Sequence, residues 1–180
     1  MLTPGLQGRE QLLRLNGHDS LWNEMPIVKT LHWPDEQACE AFAQAMVQQT
    51  AWGQATVYLQ GDLGAGKTTL VRHLLRAMGV TGRIKSPTYA VVEPYELTAG
   101  QASQAIWHFD FYRFSDPREW EDAGFRELFA SPGLKLCEWP DKAAGSLPIP
   151  DLVVHLQVNP DTSRTVQLAA NSPLGEGLMP

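Results

Sequence analysis

The sequence predicts an α/β domain built on a mixed sheet, with a parallel centre and antiparallel additions. Three observations point to it. Short apolar runs that suit strands buried on both faces alternate with segments of helical period. The first of these runs leads directly into a glycine-rich turn and a strongly patterned helix. The last two strand candidates are separated by a tight-turn signal and no helix. With 180 residues, 43% of them hydrophobic, the chain can bury one sizeable core and is short for two domains. The expected organisation is an N-terminal extension at 1–26, one domain at 27–170 and a disordered C-terminal tail at 171–180.

Residues 1–26 mix Gly, Pro and Asn around a brief REQLLRL segment and sustain no period. In HWPDEQACEAFAQAM, Pro34 suits a first helical position, Asp35 and Glu36 favour the positive end of the dipole, and Ala38, Phe42, Ala45 and Met46 share a face. That helix ends near Gly53. ATVYLQ (55–60) reads as a buried strand. TTLVRHLLRAM then places Leu70, Leu74 and Met78 on one stripe with Val71 and Leu75 beside it, and Gly79 serves as C-cap. TYAVVEPYEL and QAIWHFDFYRF read as strands joined through TAGQ, where Gly100 suits a hairpin turn. Asp116, Pro117 and Glu119 resemble a capping box opening a helix that Gly124 interrupts. LKLCEW, DLVVHLQV and RTVQLAA supply three more strands, the last two split by NPDTS.

Composition narrows the function classes. A net charge of −6 gives a bare polyanion little to approach, since nucleic-acid affinity comes largely from Lys and Arg neutralising phosphates. Contact with RNA therefore requires a basic partner. Cys39 and Cys137 lie far apart with no CxxC spacing, and read as small buried hydrophobes of a reducing compartment. The N-terminal stretch lacks an uninterrupted apolar signal region, and no segment approaches the ~20 apolar residues of a membrane span. A cytoplasmic protein is expected.

The chemistry concentrates in GDLGAGKTTL, residues 61–70. Gly61, Gly66, Lys67 and Thr68 satisfy G-x-x-x-x-G-K-[ST], between a buried strand and a strong helix. Glycines let successive backbone N–H groups of Leu63, Gly64, Ala65, Gly66, Lys67, Thr68 and Thr69 turn inward as a nest for phosphate oxygens, and the helix adds its positive N-terminus. In such a loop Lys67 bridges the β- and γ-phosphates and the Thr68 hydroxyl ligates Mg²⁺. An ordinary glycine turn with an incidental lysine explains the pattern far less well. The metal calls for a further carboxylate, and two acids stand where strands end. Glu138 closes LKLCEW, and ligands of open α/β sheets collect beyond the carboxyl ends of strands. Asp110 lies among the aromatics of WHFDFYR, where an unpaired carboxylate is costly, so its partner is either the metal region or Arg113. A structural salt bridge is the alternative for each.

Five motifs, GDLGAGKTT, KSPTY (85–89), HFDFYR (108–113), DAGFRELF (122–129) and CEWPD (137–141), follow in order and spacing those of the TsaE (YjeE) family of bacterial ATPases. The resemblance runs from about Ile27 to Ala170 and is far more specific than the glycine-rich loop alone. It implies a three-layer P-loop NTPase-like domain that assists TsaB and TsaD in placing threonylcarbamoyl on the adenosine beside the anticodon of certain tRNAs. It also implies Thr68 and Glu138 as Mg²⁺ ligands, Asp110 as an essential acid near the metal, and Ser86 and Thr88 in a switch-like loop. Trp139 is similar to a family tryptophan needed for activity, and Glu36 and Arg164 are placed beside adenine. Phe111 stands where the family usually has Leu, and both termini are extended, which leaves the roles of the extensions open.

Other readings stand beside these. Ser86-Pro87-Thr88 is either a rigid turn before a strand or a hydroxyl pair that senses the terminal phosphate. Glu36 and Arg164 are otherwise ordinary surface charges. His32, His73, His108 and His155 show no ligand spacing and read as structural or exposed, and Trp33, Trp107 and Trp120 read as packing residues. The expected reaction is ATP hydrolysis, with Lys67, Asp110 and Glu138 as the catalytic set. No sequence feature announces an arginine finger, so turnover is expected to be slow alone and faster with partners, with tRNA reached only through them. A small-molecule kinase shares the loop but needs an acceptor pocket and clustered lid arginines, and here the arginines are scattered. A non-catalytic nucleotide-dependent scaffold is the second rival. The absence of N-K-x-D argues against guanine selectivity.

Overall fold

The computed structural model describes residues 27–49, 52–99, 102–116, 119–120 and 123–180. The N-terminal extension, the turn at Gly100, Pro117 of the capping box and Asp122 lie outside the described residues. The elements run β1 (Ile27–Trp33), α1 (Glu36–Val47), β2 (Thr56–Gln60), α2 (Lys67–Ala77), β3 (Val92–Ala99), β4 (Ala102–Asp110), α3 (Phe125–Ala130), β5 (Leu134–Glu138), β6 (Leu152–Val158), β7 (Arg164–Ala170) and α4 (Pro173–Glu176). One seven-stranded sheet has the order β1-β7-β6-β2-β5-β4-β3. The four inner strands β6, β2, β5 and β4 pair in parallel. β7 and β1 extend one side antiparallel, and β3 closes the other as a hairpin with β4. This is the mixed sheet with a parallel centre that the sequence predicts.

Side-chain alternation along the strands divides the sheet into two faces. Val57, Leu59, Ile106, Leu134, Leu136, Val154 and Leu156 point to the side covered by α1 and α2, where they meet Phe42, Met46, Leu70, Leu74 and Leu75 in an aliphatic core. Tyr58, Phe109, Cys137 and Val153 point to the other side and join Phe111, Phe114, Trp120 and Phe125 in an aromatic one. α3 covers that face, which completes three layers.

The buried side of α1 is formed by Cys39, Phe42, Ala43 and Met46, so the expected face shifts from Ala38 and Ala45 to Cys39 and Ala43. Asp35 caps this helix by accepting the Ala38 N–H at 3.0 Å. β1 pairs with β7 as an edge strand that no pattern in IVKTLHW had announced. The strand expected from Thr88 begins only at Val92, because residues 88–90 form a turn. Gly124, at φ 69°, lies in a turn between the helical residues 119–120 and α3, the interruption the sequence predicts, and Glu119 accepts from the Ser115 and Asp116 N–H groups as a capping-box acid does.

The tail is a correction. Residues 171–180 were expected to be disordered, yet Ser172 caps α4, Pro173 occupies its first turn and Leu178 is fully buried in the aliphatic core. Asp151 anchors it by accepting from the Ser172 hydroxyl at 2.6 Å and from the Thr56 N–H at 2.8 Å, which ties the tail to the start of β2. Among the described residues no helix is long and apolar enough to cross a membrane.

Candidate functional site

The glycine-rich loop lies between β2 and α2, at the carboxyl end of the parallel strands. Gly61 is fixed by close approach: a Cβ there would sit 2.2 Å from the Leu156 carbonyl oxygen, and its φ is 133°. Gly66, at φ 111°, turns the chain into α2, so Lys67 and Thr68 occupy the first turn of that helix. Lys67 is 4% exposed. It donates to the carbonyls of Gly61 at 2.6 Å and Asp62 at 2.9 Å and stands 3.9 Å from the centre of the Trp139 ring. Burial pushes its pKa below the ordinary lysine range, while Glu138, Asp110, Asp141 and Asp62 pull the other way.

Sheet register brings the acids to this loop. The parallel pairing of β4 and β5 sets Asp110 beside Glu138, both on the α2 side of the sheet. The two are 4% and 2% exposed. Glu138 Oε2 accepts the Thr68 hydroxyl at 2.9 Å, and its Oε1 lies 2.8 Å from His108 Nε2. Asp110 Oδ2 accepts the Thr88 hydroxyl at 2.5 Å and Oδ1 accepts the Tyr112 N–H at 3.0 Å. Arg113, the other partner considered for Asp110, instead lies over the Tyr89 ring at 4.2 Å. Ser86 Oγ is 2.8 Å from Thr88 Oγ1, and the Val91 carbonyl accepts the Asp110 N–H, so the 86–91 loop is clamped to the end of β4. Val91 makes that turn at φ 66°, an unusual conformation for a β-branched residue. Leu63, Gly64, Gly66, Lys67, Thr68, Thr69, Thr88, Asp110, Tyr112, Glu138 and Trp139 line one cleft of about 250 Å³.

A smaller cavity of about 120 Å³ opens on the other flank of the loop, lined by Trp33, Asp35, Glu36, Cys39, Ala65, Gly66, Thr69 and Arg164. Gly66 and Thr69 are common to both. Arg164, first residue of β7, donates from Nε to the Ala65 carbonyl at 3.1 Å, and so is fastened to the loop it flanks. Glu36 is exposed and pairs with His73 at 3.1 Å. The Cys39 thiol is pushed up to about 12, mainly by burial.

The family model described as threonylcarbamoyl adenosine biosynthesis protein TsaE matches residues 33–166, which span the loop, both acids and Arg164. The chain belongs to the TsaE family. Relatives within it carry the name tRNA threonylcarbamoyladenosine biosynthesis protein TsaE. That of Haemophilus influenzae is 39% identical over 154 residues, covering 83% of this chain and 94% of its own. That of Bacillus subtilis is 33% identical over 112 residues, covering 62% and 67%. A crystal structure of Bacillus subtilis YdiB superposes with a TM-score of 0.63 at 26% identity, covering 83% of this chain and 91% of that one.

In this TsaE-family chain the fold brings most of the singled-out residues into one place. Lys67, Thr68, Thr88, Asp110, Glu138 and Trp139 line a single cleft, with Ser86 bonded to its wall, and Glu36 and Arg164 line the neighbouring cavity. His108, set aside for lack of ligand spacing, is fully buried against Glu138. The signal was present in H-F-D-F: strand alternation puts His108 on the face of Asp110, away from Phe109 and Phe111. Tyr112, within HFDFYR but given no role of its own there, also lines the cleft. Trp139 leaves β5 at φ 56°, which turns its ring back over Lys67.

Proposed function

We propose that this chain binds ATP with Mg²⁺ in the Lys67 cleft and hydrolyses it in the cytoplasm, acting with TsaB and TsaD in the tRNA threonylcarbamoyladenosine biosynthesis of its family. The observation that carries this reading is the 2.9 Å bond from the Thr68 hydroxyl to a buried Glu138, beside a lysine held in a glycine-rich loop. A hydroxyl and one carboxylate are a sparse set, and they suit Mg²⁺, which is commonly held by one or two protein oxygens together with phosphate oxygens and water. When bound there, the ion neutralises charge on the phosphate oxygens.

The side chains supply the rest. Among the described residues the close partners of Lys67 are backbone carbonyls and an aromatic face, so its ammonium can exchange them for β- and γ-phosphate oxygens while the loop amides hold the others. Glu138 presents a preoriented carboxylate to the metal position, and the burial of Glu138 and Asp110 strengthens these attractions. Asp110 holds Thr88, and through it Ser86, at the cleft wall, in position to respond to the terminal phosphate as switch loops do. The smaller cavity, with Glu36 and Arg164, receives the adenine end.

Among the described residues no arginine lines the Lys67 cleft. Hydrolysis by the isolated chain is therefore slow, and the assembly with TsaB and TsaD accelerates it. Steady-state phosphate release from the purified chain and from the reconstituted assembly tests this. A clear rise in the assembly is expected; equal rates would remove the partner from the reaction.

A further inference from the structure

Glu138 has two oxygens and two partners, and they lie in different layers. Oε2 faces the cleft through Thr68, while Oε1 faces inward to His108 Nε2 at 2.8 Å. The imidazole is 0% exposed, and the register of β4 and β5 sets His108 beside Leu136, two residue pairs below the Asp110–Glu138 pair and on the same face of the sheet. A carboxylate only accepts, so Nε2 is the donor of this bond. Nδ1 is buried without a hydrogen-bond partner among the described residues. A buried imidazole with one nitrogen orphaned is a costly element, and its single bond goes to the carboxylate that closes the cleft.

We propose that His108 is the positioning residue of the Mg²⁺-binding carboxylate: it fixes the Glu138 side chain from beneath, so that Oε2 is turned to Thr68 and the metal position. This rests on the proposed Mg²⁺–ATP reading of the cleft. His108 lies behind Glu138 and is absent from the cleft lining, so it acts through the acid and not on nucleotide. Removing a support of this kind typically costs 10- to 100-fold in metal affinity.

The test is calorimetric titration of the full chain with a non-hydrolysable ATP analogue, with and without Mg²⁺, in the wild type, His108→Leu and His108→Gln. Leu keeps the apolar volume without a donor, and the Gln amide restores a donor near the position of Nε2. The Mg²⁺-dependent gain in affinity is expected to fall about 10- to 100-fold in His108→Leu and to return largely in His108→Gln, with Mg²⁺-free affinity unchanged in both. In a Glu138→Ala background His108→Leu should change nothing further. An undiminished Mg²⁺ gain in His108→Leu, or equal losses with and without the ion, overturns the role of His108 and leaves the cleft reading standing. A wild type with no Mg²⁺ gain overturns both. Should His108→Leu fail to fold, the wild-type imidazole gives the answer: its ¹⁵N signals are expected to shift when Mg²⁺ is added to the analogue-loaded chain, and unmoved signals overturn the proposal.

Discussion

The two cavities flanking the glycine-rich loop are built on opposite principles. In the Lys67 cleft the charges are buried, and every carboxylate oxygen of Asp110 and Glu138 has a partner, as low-dielectric surroundings require. In the Arg164 pocket apolar Trp33, Cys39 and Ala65 alternate with polar groups that are less enclosed: the Glu36 side chain is 73% exposed and Arg164 is half-buried. The first arrangement suits a ligand of concentrated charge held in one geometry. The second suits a flat, weakly polar group recognised mainly by contact. In the function proposed for this chain, specificity for a nucleotide over bare triphosphate resides in the pocket, and the chemistry resides in the cleft.

The comparison can be broken at either side. Glu138→Ala should have the largest effect, lowering phosphate release about 10²- to 10³-fold, the scale for loss of one preorganised electrostatic group. It also leaves the buried His108 without the carboxylate it bonds, so a stability loss of about 1–3 kcal/mol should accompany it in urea titrations. Near-normal release from a folded Glu138→Ala chain would show that the cleft is not where charge is stabilised. Arg164→Ala should act on the other side and more mildly. ATP affinity is expected to drop several-fold while affinity for inorganic tripolyphosphate is unchanged; parallel losses of both would mean that Arg164 serves the loop as a whole, through its bond to Ala65.

The smallest expected effect concerns His155, beneath the loop on β6. Burial, with Lys67 adding to it and Asp62 opposing, lowers its pKa below the ordinary 6.5. Between the folded and the ordinary values the unfolded chain binds more protons, so stability falls as pH drops below about 6.5 towards the folded pKa. Denaturant midpoints measured against pH should show this acid limb, and His155→Gln should flatten it; an unchanged limb would assign it to carboxylates instead.

The same contrast explains what could be read from the sequence. The cleft was legible because its residues obey local rules. The loop has a fixed spacing, and Glu138 ends an apolar strand, where a charge has few reasons to be. Asp110 among aromatics demanded a partner, and found one in Thr88 instead of Arg113. The pocket was scarcely legible, since Trp33, Cys39, Ala65 and Arg164 come from four segments, with Trp33 set beside Arg164 only through the pairing of β1 with β7, and β1 carries no clean alternation. His108 escaped because a search for ligand spacing looks along the chain, whereas its partner lies on the neighbouring strand. The ordered tail was missed for a different reason. Ser172-Pro173 is a helix-start signal, but its burial depends on Asp151 and on Gly175, which packs so closely that a Cβ would lie 1.8 Å from the Asp151 carbonyl oxygen.

The measurement that bears most directly on the central claim is calorimetry of ATP binding, with and without Mg²⁺, in the wild type, Lys67→Ala and Thr68→Ala. Mg²⁺ is expected to tighten binding in the wild type, Lys67→Ala to lose nucleotide affinity altogether, and Thr68→Ala to lose the Mg²⁺-dependent part. ATP affinity and Mg²⁺ dependence unchanged in both folded variants would place nucleotide elsewhere and contradict the account.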